Sequence, residues 1–316
     1  MFVVIAATML GTLSRCVRMP CHYMQSAKPV SRLSAALPFL FVFLWSTGFI
    51  GAKFGLPYAE PLTFLLTRYL LVLGLMIPLV LLTRAPWPGD VRQVMHIGVT
   101  GLLVHAVYLG GVFMAIKNGL PAGVTALVVG MQPLLTACGV GLLLGEQVSP
   151  RQWLGLVLGF VGVSLVVANK LGDVPLAAML LPAIAALLGI TLGTLYQKRF
   201  CPRFDLRTGS VIQFLPTAVV TAMVASATES MLIDWTPQFV FALLWLVLVL
   251  SVGAISLLNV LIRSGSAVNV ATLFYLTPPS TAVIAWLLFD ETLGALAVAG
   301  MVLAVSGVYL ARATAR

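Results

Sequence analysis

Residues 133–146 read PLLTACGVGLLLGE, and residues 278–291 read PPSTAVIAWLLFDE. The second stretch begins 145 positions after the first, and the two agree at the initial proline, at a Thr-Ala pair, at a Leu-Leu pair and at the final glutamate. Each first proline falls about halfway along a longer apolar segment. Agreement at a fixed offset between two distant stretches indicates an internal repeat.

The offset of 145 also pairs residues elsewhere in the chain. The further pairs are Gly155 with Gly300, Gly162-Val163 with Gly307-Val308, Gly48 with Gly193, Lys53 with Lys198, and Thr63 with Thr208. We therefore divide the chain into an N-terminal extension of residues 1–32 and two related halves, residues 33–169 and 175–312.

The amino-acid composition indicates that both halves are embedded in lipid. Hydrophobic residues make up 60% of the 316 residues and charged residues only 9%, and the mean hydropathy is +1.08. A water-soluble fold would have too little polar surface to cover itself. Because backbone groups in lipid need internal partners, and because the apolar runs are long, the sequence predicts membrane-spanning helices.

Each half contains five apolar runs of about 20 residues, the length that spans a bilayer. The predicted helices are residues 33–54, 61–82, 94–116, 121–144 and 152–169, then 175–196, 209–228, 238–262, 267–289 and 294–311. Because five is an odd number, the two halves must enter the membrane in opposite directions. The predicted fold class is an all-α integral membrane protein with ten transmembrane helices in two inverted five-helix repeats.

Basic residues predict the orientation of this bundle. If both termini are cytoplasmic, fourteen Lys and Arg residues fall on the inner side and three on the outer side, with Arg68 inside a helix. The excess of positive charge on cytoplasmic loops favours that orientation. We therefore expect a multi-pass protein of the cell (inner) membrane. The net charge of +9 forms no continuous stripe, so it gives no reason to expect nucleic acid as a partner.

The N-terminal extension has the features of neither a signal peptide nor a transmembrane span. Its apolar run, residues 2–13, is too short to cross a bilayer, and no basic segment precedes it. Every predicted helix lies after Met24. We therefore expect synthesis to begin at Met19 or Met24.

Several motifs resemble those of the EamA family of the drug/metabolite transporter superfamily. They are Trp45-Ser-Thr-Gly-Phe-Ile-Gly-Ala-Lys53, the pair Thr67-Arg68, the stretch from Pro133 to Gly145-Glu146, and the stretch from Pro278 to Asp290-Glu291 with Gly300. Asp290 stands where the first half has a glycine. The resemblance implies ten helices in two five-helix repeats and the export or exchange of amino acids or other small metabolites. It does not imply one particular substrate.

Interrupted helices at matching positions point to a binding site near the middle of the membrane. Pro133 and Pro278 interrupt their helices, and each removes a backbone hydrogen bond. Gln132 and Thr277 precede them and supply polar side chains. We therefore propose a substrate cavity near these four residues, between the two halves. The alternative is a purely structural kink.

Two of the candidate site residues, Arg68 and His105, are basic side chains well inside the predicted helices. Arg68 lies seven residues into its helix, roughly 10 Å from the end, where a guanidinium would suit a substrate carboxylate. The alternative is that its side chain extends to the outer headgroups. His105 lies near the middle of the third helix and could relay protons. The alternative there is a neutral histidine hydrogen-bonded to a neighbouring helix.

Aromatic and small residues complete the candidate site. Trp45, Tyr108, Tyr275 and Trp286 could line a cavity for an apolar or aromatic substrate, although aromatic residues in spans also pack or face lipid. Gly155, Gly159 and Gly162, like Gly300 and Gly307, follow one face of a helix and predict close helix packing.

All nine acidic residues lie in predicted loops or at helix ends. Coupling of transport to protons or sodium would therefore run through His105 or a backbone ion site, or be absent. The spans contain no paired carboxylates or His-x-x-x-His motif, and the four cysteines have no metal-ligand spacing. We expect a transporter of small metabolites that works by alternating access, not an enzyme, with no metal and no cofactor. A structural or sensory membrane protein is the alternative, and an intramembrane enzyme is another.

Overall fold

The computed structural model describes residues 32–120, 122–145, 147–168, 176–264, 267–289 and 294–312. These residues are helical apart from short connections, and the extended pairing among them is one isolated antiparallel bridge between Ala59 and Ile233. The architecture below concerns the compact unit that begins at Pro38. The proposed starts at Met19 and Met24 lie outside the described residues, as do Glu146 and Glu291.

Seven α-helices belong to the first half of the chain. They are α1 (Arg32–Gly55), α2 (Pro61–Thr83), α3 (Val91–Gly101), α4 (Gly110–Lys117), α5 (Ala122–Val129), α6 (Gln132–Leu144) and α7 (Pro150–Ala168). A π-helical segment, Leu102–Leu109, joins α3 to α4.

Seven more α-helices belong to the second half. They are α8 (Leu176–Phe200), α9 (Leu206–Thr228), α10 (Pro237–Trp245), α11 (Ile255–Ser264), α12 (Ala267–Ala271), α13 (Thr277–Phe289) and α14 (Ala295–Arg312). A second π-helical segment, Leu246–Ala254, joins α10 to α11. A 3₁₀ segment, Thr272–Leu276, joins α12 to α13.

Six helical stretches among the described residues are long and apolar enough to cross a membrane. They are Leu37–Gly55, Pro61–Thr83, Val91–Lys117, Leu180–Phe200, Leu206–Thr228 and Pro237–Arg263, and Val298–Ala311 is a shorter apolar stretch. The protein is therefore a multi-pass, all-helical membrane protein. The fourth, fifth, ninth and tenth predicted spans are not among the six, so ten spans are not confirmed. The fourth and ninth are each divided into shorter helices.

The divisions come directly before the two prolines that sequence analysis singled out. The chain leaves the helix at Gly130 and Met131 and restarts it as α6, in which Pro133 lies in the first turn. In the second half the 3₁₀ segment ends at Leu276, and Pro278 lies in the first turn of α13. Proline fits a first turn because no hydrogen bond is required of its nitrogen there. Pro133 thus lies at the start of a new helix, and Pro278 lies where the chain returns from 3₁₀ to α-helical geometry.

Helices α2 and α9 are antiparallel neighbours, because the beginning of each meets the end of the other. The Glu229 carboxylate, at the end of α9, accepts hydrogen bonds from the backbone N–H groups of Leu62 and Thr63 at 2.8 and 2.7 Å. At the opposite end, the Thr208 hydroxyl donates to the carbonyl oxygen of Pro86 at 3.0 Å. These contacts fix the register of the two helices.

A second carboxylate lies beside this junction, outside the apolar helices. Glu60 accepts hydrogen bonds at 2.6 Å from both the hydroxyl and the backbone N–H of Ser230. The Ser230 hydroxyl first, and its N–H second, lower the pKa of the Glu60 carboxyl from its usual value. Glu60 is thus held as an anion at the end of the pair α2 and α9.

Helices α7 and α14 pack backbone against backbone through glycines. A Cβ at Gly155 would lie 2.5 Å from the nitrogen of Ala311, and one at Gly162 would meet the nitrogen of Ala304 and the oxygen of Gly300. Early α7 therefore contacts late α14, so these helices are also antiparallel. The prediction that the glycines serve close packing is confirmed.

Candidate functional site

A cavity of about 30 Å³ lies between the helices of the first, second, third and eighth predicted spans. This volume holds only a few water molecules, so the cavity is too small for a metabolite in this conformation. Both halves contribute to its wall. Its lining residues are Trp45, Gly48, Phe49, Arg68, Tyr108, Leu109, Val112, Phe113, Leu250 and Ile255.

Arg68 is the charged member of this lining, and its side chain is only 3% exposed. Its Nε donates a hydrogen bond to the Ser251 hydroxyl at 2.9 Å, which in turn donates to the carbonyl of Leu246 at 3.2 Å. Among the described residues no carboxylate pairs with the guanidinium. A buried cation without a counter-ion is costly, so its position at a cavity suits an anionic ligand group.

Aromatic rings form one side of the cavity. The rings of Trp45 and Tyr108 are stacked, with centroids 6.1 Å apart and an interplanar angle of 11°. Phe274 supports Trp45 from behind in an edge contact at 5.3 Å. Because Phe274 belongs to the 3₁₀ segment before α13, the interrupted helix of the second half packs directly on the cavity wall. A flat apolar group would fit against these rings.

Contacts at the start of α2 determine where Arg68 lies along the helix. The helix begins with Pro61, whose fixed φ favours the first helical position, and the Glu229 carboxylate caps its free N–H groups. Arg68 therefore lies two helical turns from that end, about 10 Å at 1.5 Å per residue. The side chain is buried and lines the cavity.

His105 is fully buried on the π-helical segment before α4, but it does not line this cavity. Its ring stacks on Phe214 of α9, with centroids 4.2 Å apart. The Gln213 side chain lies beside the imidazole, yet neither ring nitrogen makes a hydrogen bond of regular geometry with the described residues. The Tyr69 hydroxyl donates to the His105 carbonyl at 2.8 Å and fixes the backbone.

Gln132 lines a different, smaller cavity of about 10 Å³ with Thr194, Lys198, Ile262, Val270 and Ala271. Its amide nitrogen donates to the Thr194 hydroxyl at 3.4 Å, while its Oε1 has no hydrogen bond within the described part of the chain. The structure therefore separates Gln132 from Arg68, which sequence analysis expected in one cavity.

Thr277 packs against α1. Its carbonyl accepts a hydrogen bond from the Ser46 hydroxyl at 3.3 Å, and Thr281, one turn later, donates to the Ser46 carbonyl at 3.4 Å. Pro133 and Pro278 are buried in their first turns. Because Ser46 follows Trp45, Thr277 is linked to the cavity wall without lining it.

The two remaining aromatic candidates are not brought to the cavity in the described structure. Tyr275 is fully buried against Gly159 of α7, where a Cβ would lie 2.5 Å from its ring. The Trp286 side chain lies outside what the structure describes. Of the sequence candidates, Arg68, Trp45 and Tyr108 are therefore the ones that share a cavity.

Sequence reasoning missed Phe49, Val112 and Ser251. Phe49 and Val112 lie four residues after Trp45 and Tyr108, on the same helical faces, so helical periodicity could have identified them. Ser251 lies 183 residues from Arg68, and no local signal connects the two.

One protein-family model matches both halves of the chain. It is described as the EamA-like transporter family, and it matches residues 33–168 and again residues 177–313. A relative from Bacillus subtilis, named uncharacterized transporter YvbV, is 30% identical over 284 residues, which are 89% of this chain and 92% of that protein.

Other relatives have names of the same kind. A Salmonella typhimurium protein named probable amino-acid metabolite efflux pump is 27% identical over 89% of this chain and 95% of its own length. One solved crystal structure superposes with a TM-score of 0.71 at 22% identity, covering 89% of this chain and 97% of the other, which supports the fold alone. These relatives are named as transporters or efflux pumps, not as enzymes. The chain is a membrane transporter and belongs to the EamA-like transporter family.

Proposed function

We propose that this protein exports or exchanges small metabolites such as amino acids, by alternating access at the cavity that contains Arg68. The observation that carries the proposal is a buried arginine without a carboxylate partner among the described residues, next to stacked aromatic rings. A guanidinium binds a carboxylate through paired hydrogen bonds, and the rings suit an apolar or aromatic side chain. The name of the Salmonella relative, an amino-acid metabolite efflux pump, supports the same substrate class.

Alternating access in this proposal rests on ten spans in two inverted halves, residues 33–169 and 175–312. The antiparallel contacts of α2 with α9 and of α7 with α14 support inversion. Helices α2 and α9 are each the second helix of their half, and α7 and α14 are each the last. The small volume of the cavity is consistent with it, since a metabolite can fit there only after the surrounding helices move. Both termini are cytoplasmic in the proposed orientation.

Counterflow in proteoliposomes tests the proposal. Vesicles loaded with unlabelled L-phenylalanine should take up radiolabelled L-phenylalanine faster than protein-free vesicles do. Hydrocinnamate keeps the carboxylate and lacks the amine, whereas phenethylamine keeps the amine and lacks the carboxylate. We expect hydrocinnamate to compete with the uptake and phenethylamine not to compete.

The same assay distinguishes a structural or sensory protein, which would catalyse no flux. Counterflow absent for L-phenylalanine and for every other proteinogenic amino acid would contradict the proposed substrate class. Competition by phenethylamine but not by hydrocinnamate would contradict the role of Arg68.

A further inference from the structure

The 145-residue offset between the halves extends to the surroundings of Arg68. Tyr69 corresponds to Phe214, and their rings contact each other at 5.6 Å across the antiparallel pair α2 and α9. Arg68 therefore corresponds to Gln213. Arg68 lies seven residues after the first residue of α2, and Gln213 lies seven residues after the first residue of α9. The two side chains thus occupy equivalent depths, about 10 Å from opposite ends of the helix pair.

The neighbour of Gln213 also has a counterpart in the cavity. His105 corresponds to Leu250, which lines the cavity beside Arg68. Each lies in the π-helical segment of its half, Leu102–Leu109 or Leu246–Ala254. Segments of this kind inside α-helices are frequent at functional sites. The chain therefore contains, related to the Arg68 cavity by the repeat, a second arrangement in which His105 and Gln213 are the polar groups.

His105 is the group in this second arrangement that lacks a regular hydrogen-bond partner among the described residues. His105 is 0% exposed and Gln213 is 2% exposed. Both imidazole nitrogens lack a regular hydrogen bond with the described residues, although a buried polar group without a partner costs free energy. An imidazole N–H and an amide NH₂ are both donors to a carboxylate. The imidazole N–H is therefore a donor without a regular partner among the described residues, and a carboxylate oxygen would be a suitable acceptor for it.

We propose that His105 and Gln213 form a second binding position for the substrate carboxylate. It is used in the conformation in which each half adopts the arrangement that the other half has here. This inference rests on the proposed function, since it requires two inverted halves and alternating access. When the Arg68 cavity closes from one side of the membrane, the equivalent space beside Gln213 opens to the other side. The carboxylate then leaves a charged partner for two neutral donors, which hold an anion more weakly and suit release.

Binding and counterflow measured separately test the second position. In His105→Leu and Gln213→Leu we expect L-phenylalanine to bind purified protein within about twofold of the wild-type affinity, because Arg68 is intact. Counterflow should fall by about tenfold or more, the equivalent of one lost hydrogen bond to a charged group. His105→Gln and Gln213→Asn keep a donor and should retain most of the counterflow.

Gln197→Leu is the matched control. Gln197 is a buried glutamine that donates to Asn259 at 2.8 Å, and it lines neither cavity. Its loss should leave the ratio of counterflow to binding unchanged. Wild-type counterflow in both leucine variants overturns the second position. Loss of binding together with counterflow also overturns it, because both residues would then belong to the Arg68 cavity.

Cysteine labelling gives a readout that does not depend on the leucine variants. In protein whose four native cysteines are replaced by alanine, Gln213→Cys should react with a membrane-impermeant maleimide from one membrane face, and Arg68→Cys only from the opposite face. Labelling of both from the same face, or of Arg68→Cys alone, overturns the second position and leaves the proposed function standing. Labelling of neither, with no counterflow in the wild type, contradicts the proposed function itself.

Discussion

The buried guanidinium of Arg68 is the residue on which substrate affinity should depend. Arg68→Gln removes the charge and the paired donors, so L-phenylalanine should bind about 10- to 100-fold more weakly, as expected for the loss of a hydrogen bond to a charged group. Arg68→Lys keeps the charge without the planar fork and should give a smaller loss. Titration calorimetry on purified protein measures both. Arg92→Gln, at an exposed position in the first turn of α3, is the control. Equal affinity in Arg68→Gln and Arg92→Gln would exclude the proposed contact.

Single residues also show what the sequence could and could not reveal. The position of Arg68, seven residues after its helix begins, was predicted correctly because the helix start at Pro61 is a local signal. The hydrogen bond to Ser251 depends on tertiary contact between distant segments. His105 was expected to relay protons or to bond a neighbouring helix, but its ring stacks on Phe214 without a regular hydrogen bond to the described residues.

Close contact between α7 and α14 gives a prediction at the level of whole helices. In Gly162→Ala the new methyl group would meet the backbone of α14 at Gly300 and Ala304. Since backbone cannot yield as a flexible side chain does, we expect a loss of about 1–3 kcal/mol of stability. Gly74→Ala is the matched control, because no atom lies within 4 Å of its added Cβ. It should be neutral or stabilising by up to about 1 kcal/mol.

Thermal unfolding of the two alanine variants in the same detergent measures this difference. A melting temperature for Gly162→Ala equal to or above that of Gly74→Ala would show that the two helices can separate without cost. The control removes the general effect of replacing glycine in a helix, so the comparison isolates the contact between α7 and α14.

The ends of most helices were predicted from the sequence to within a few residues, because prolines, acidic caps and loop charges mark them. The interruptions were predicted at these prolines, but the sequence did not distinguish a bend from the start of a new helix. A proline requires that its nitrogen donate no hydrogen bond, and a bent helix and a new helix both meet this requirement. Tertiary contacts stabilise this region of the second half, such as the hydrogen bonds of Ser46 with Thr277 and Thr281. The proline alone does not predict these contacts.

The orientation of the whole molecule follows from its basic residues. Fourteen Lys and Arg residues fall on one side of the ten predicted spans and three on the other, so we expect both termini and the loop containing Arg203 to be cytoplasmic. Reporter fusions measure this. A green fluorescent protein fusion after Arg316 should be fluorescent, and alkaline phosphatase at the same position or after Arg203 should be inactive. An active phosphatase at either position would show that the predicted orientation is wrong.

The distribution of acidic residues bears on the energy source of the whole transport cycle. The five described carboxylates, those of Glu60, Asp90, Asp205, Glu229 and Asp234, all lie outside the helix interiors. A proton or sodium ion crossing with the substrate would therefore need His105 or a backbone site. We expect transport either to be uncoupled from ions or to depend on His105.

Steady-state accumulation in proteoliposomes separates these two cases. If transport is uncoupled, collapsing a proton gradient leaves the ratio of internal to external L-phenylalanine unchanged, because exchange only equalises the two sides. If a histidine couples proton movement to transport, the gradient drives accumulation in the wild type and drives none in His105→Gln, which cannot take up a proton near neutral pH. Exchange should continue in that variant, since glutamine keeps a hydrogen-bond donor at the same position. Gradient-driven accumulation of equal size in the wild type and in His105→Gln would contradict both cases, and coupling would then have to run through backbone carbonyls at the interrupted helices.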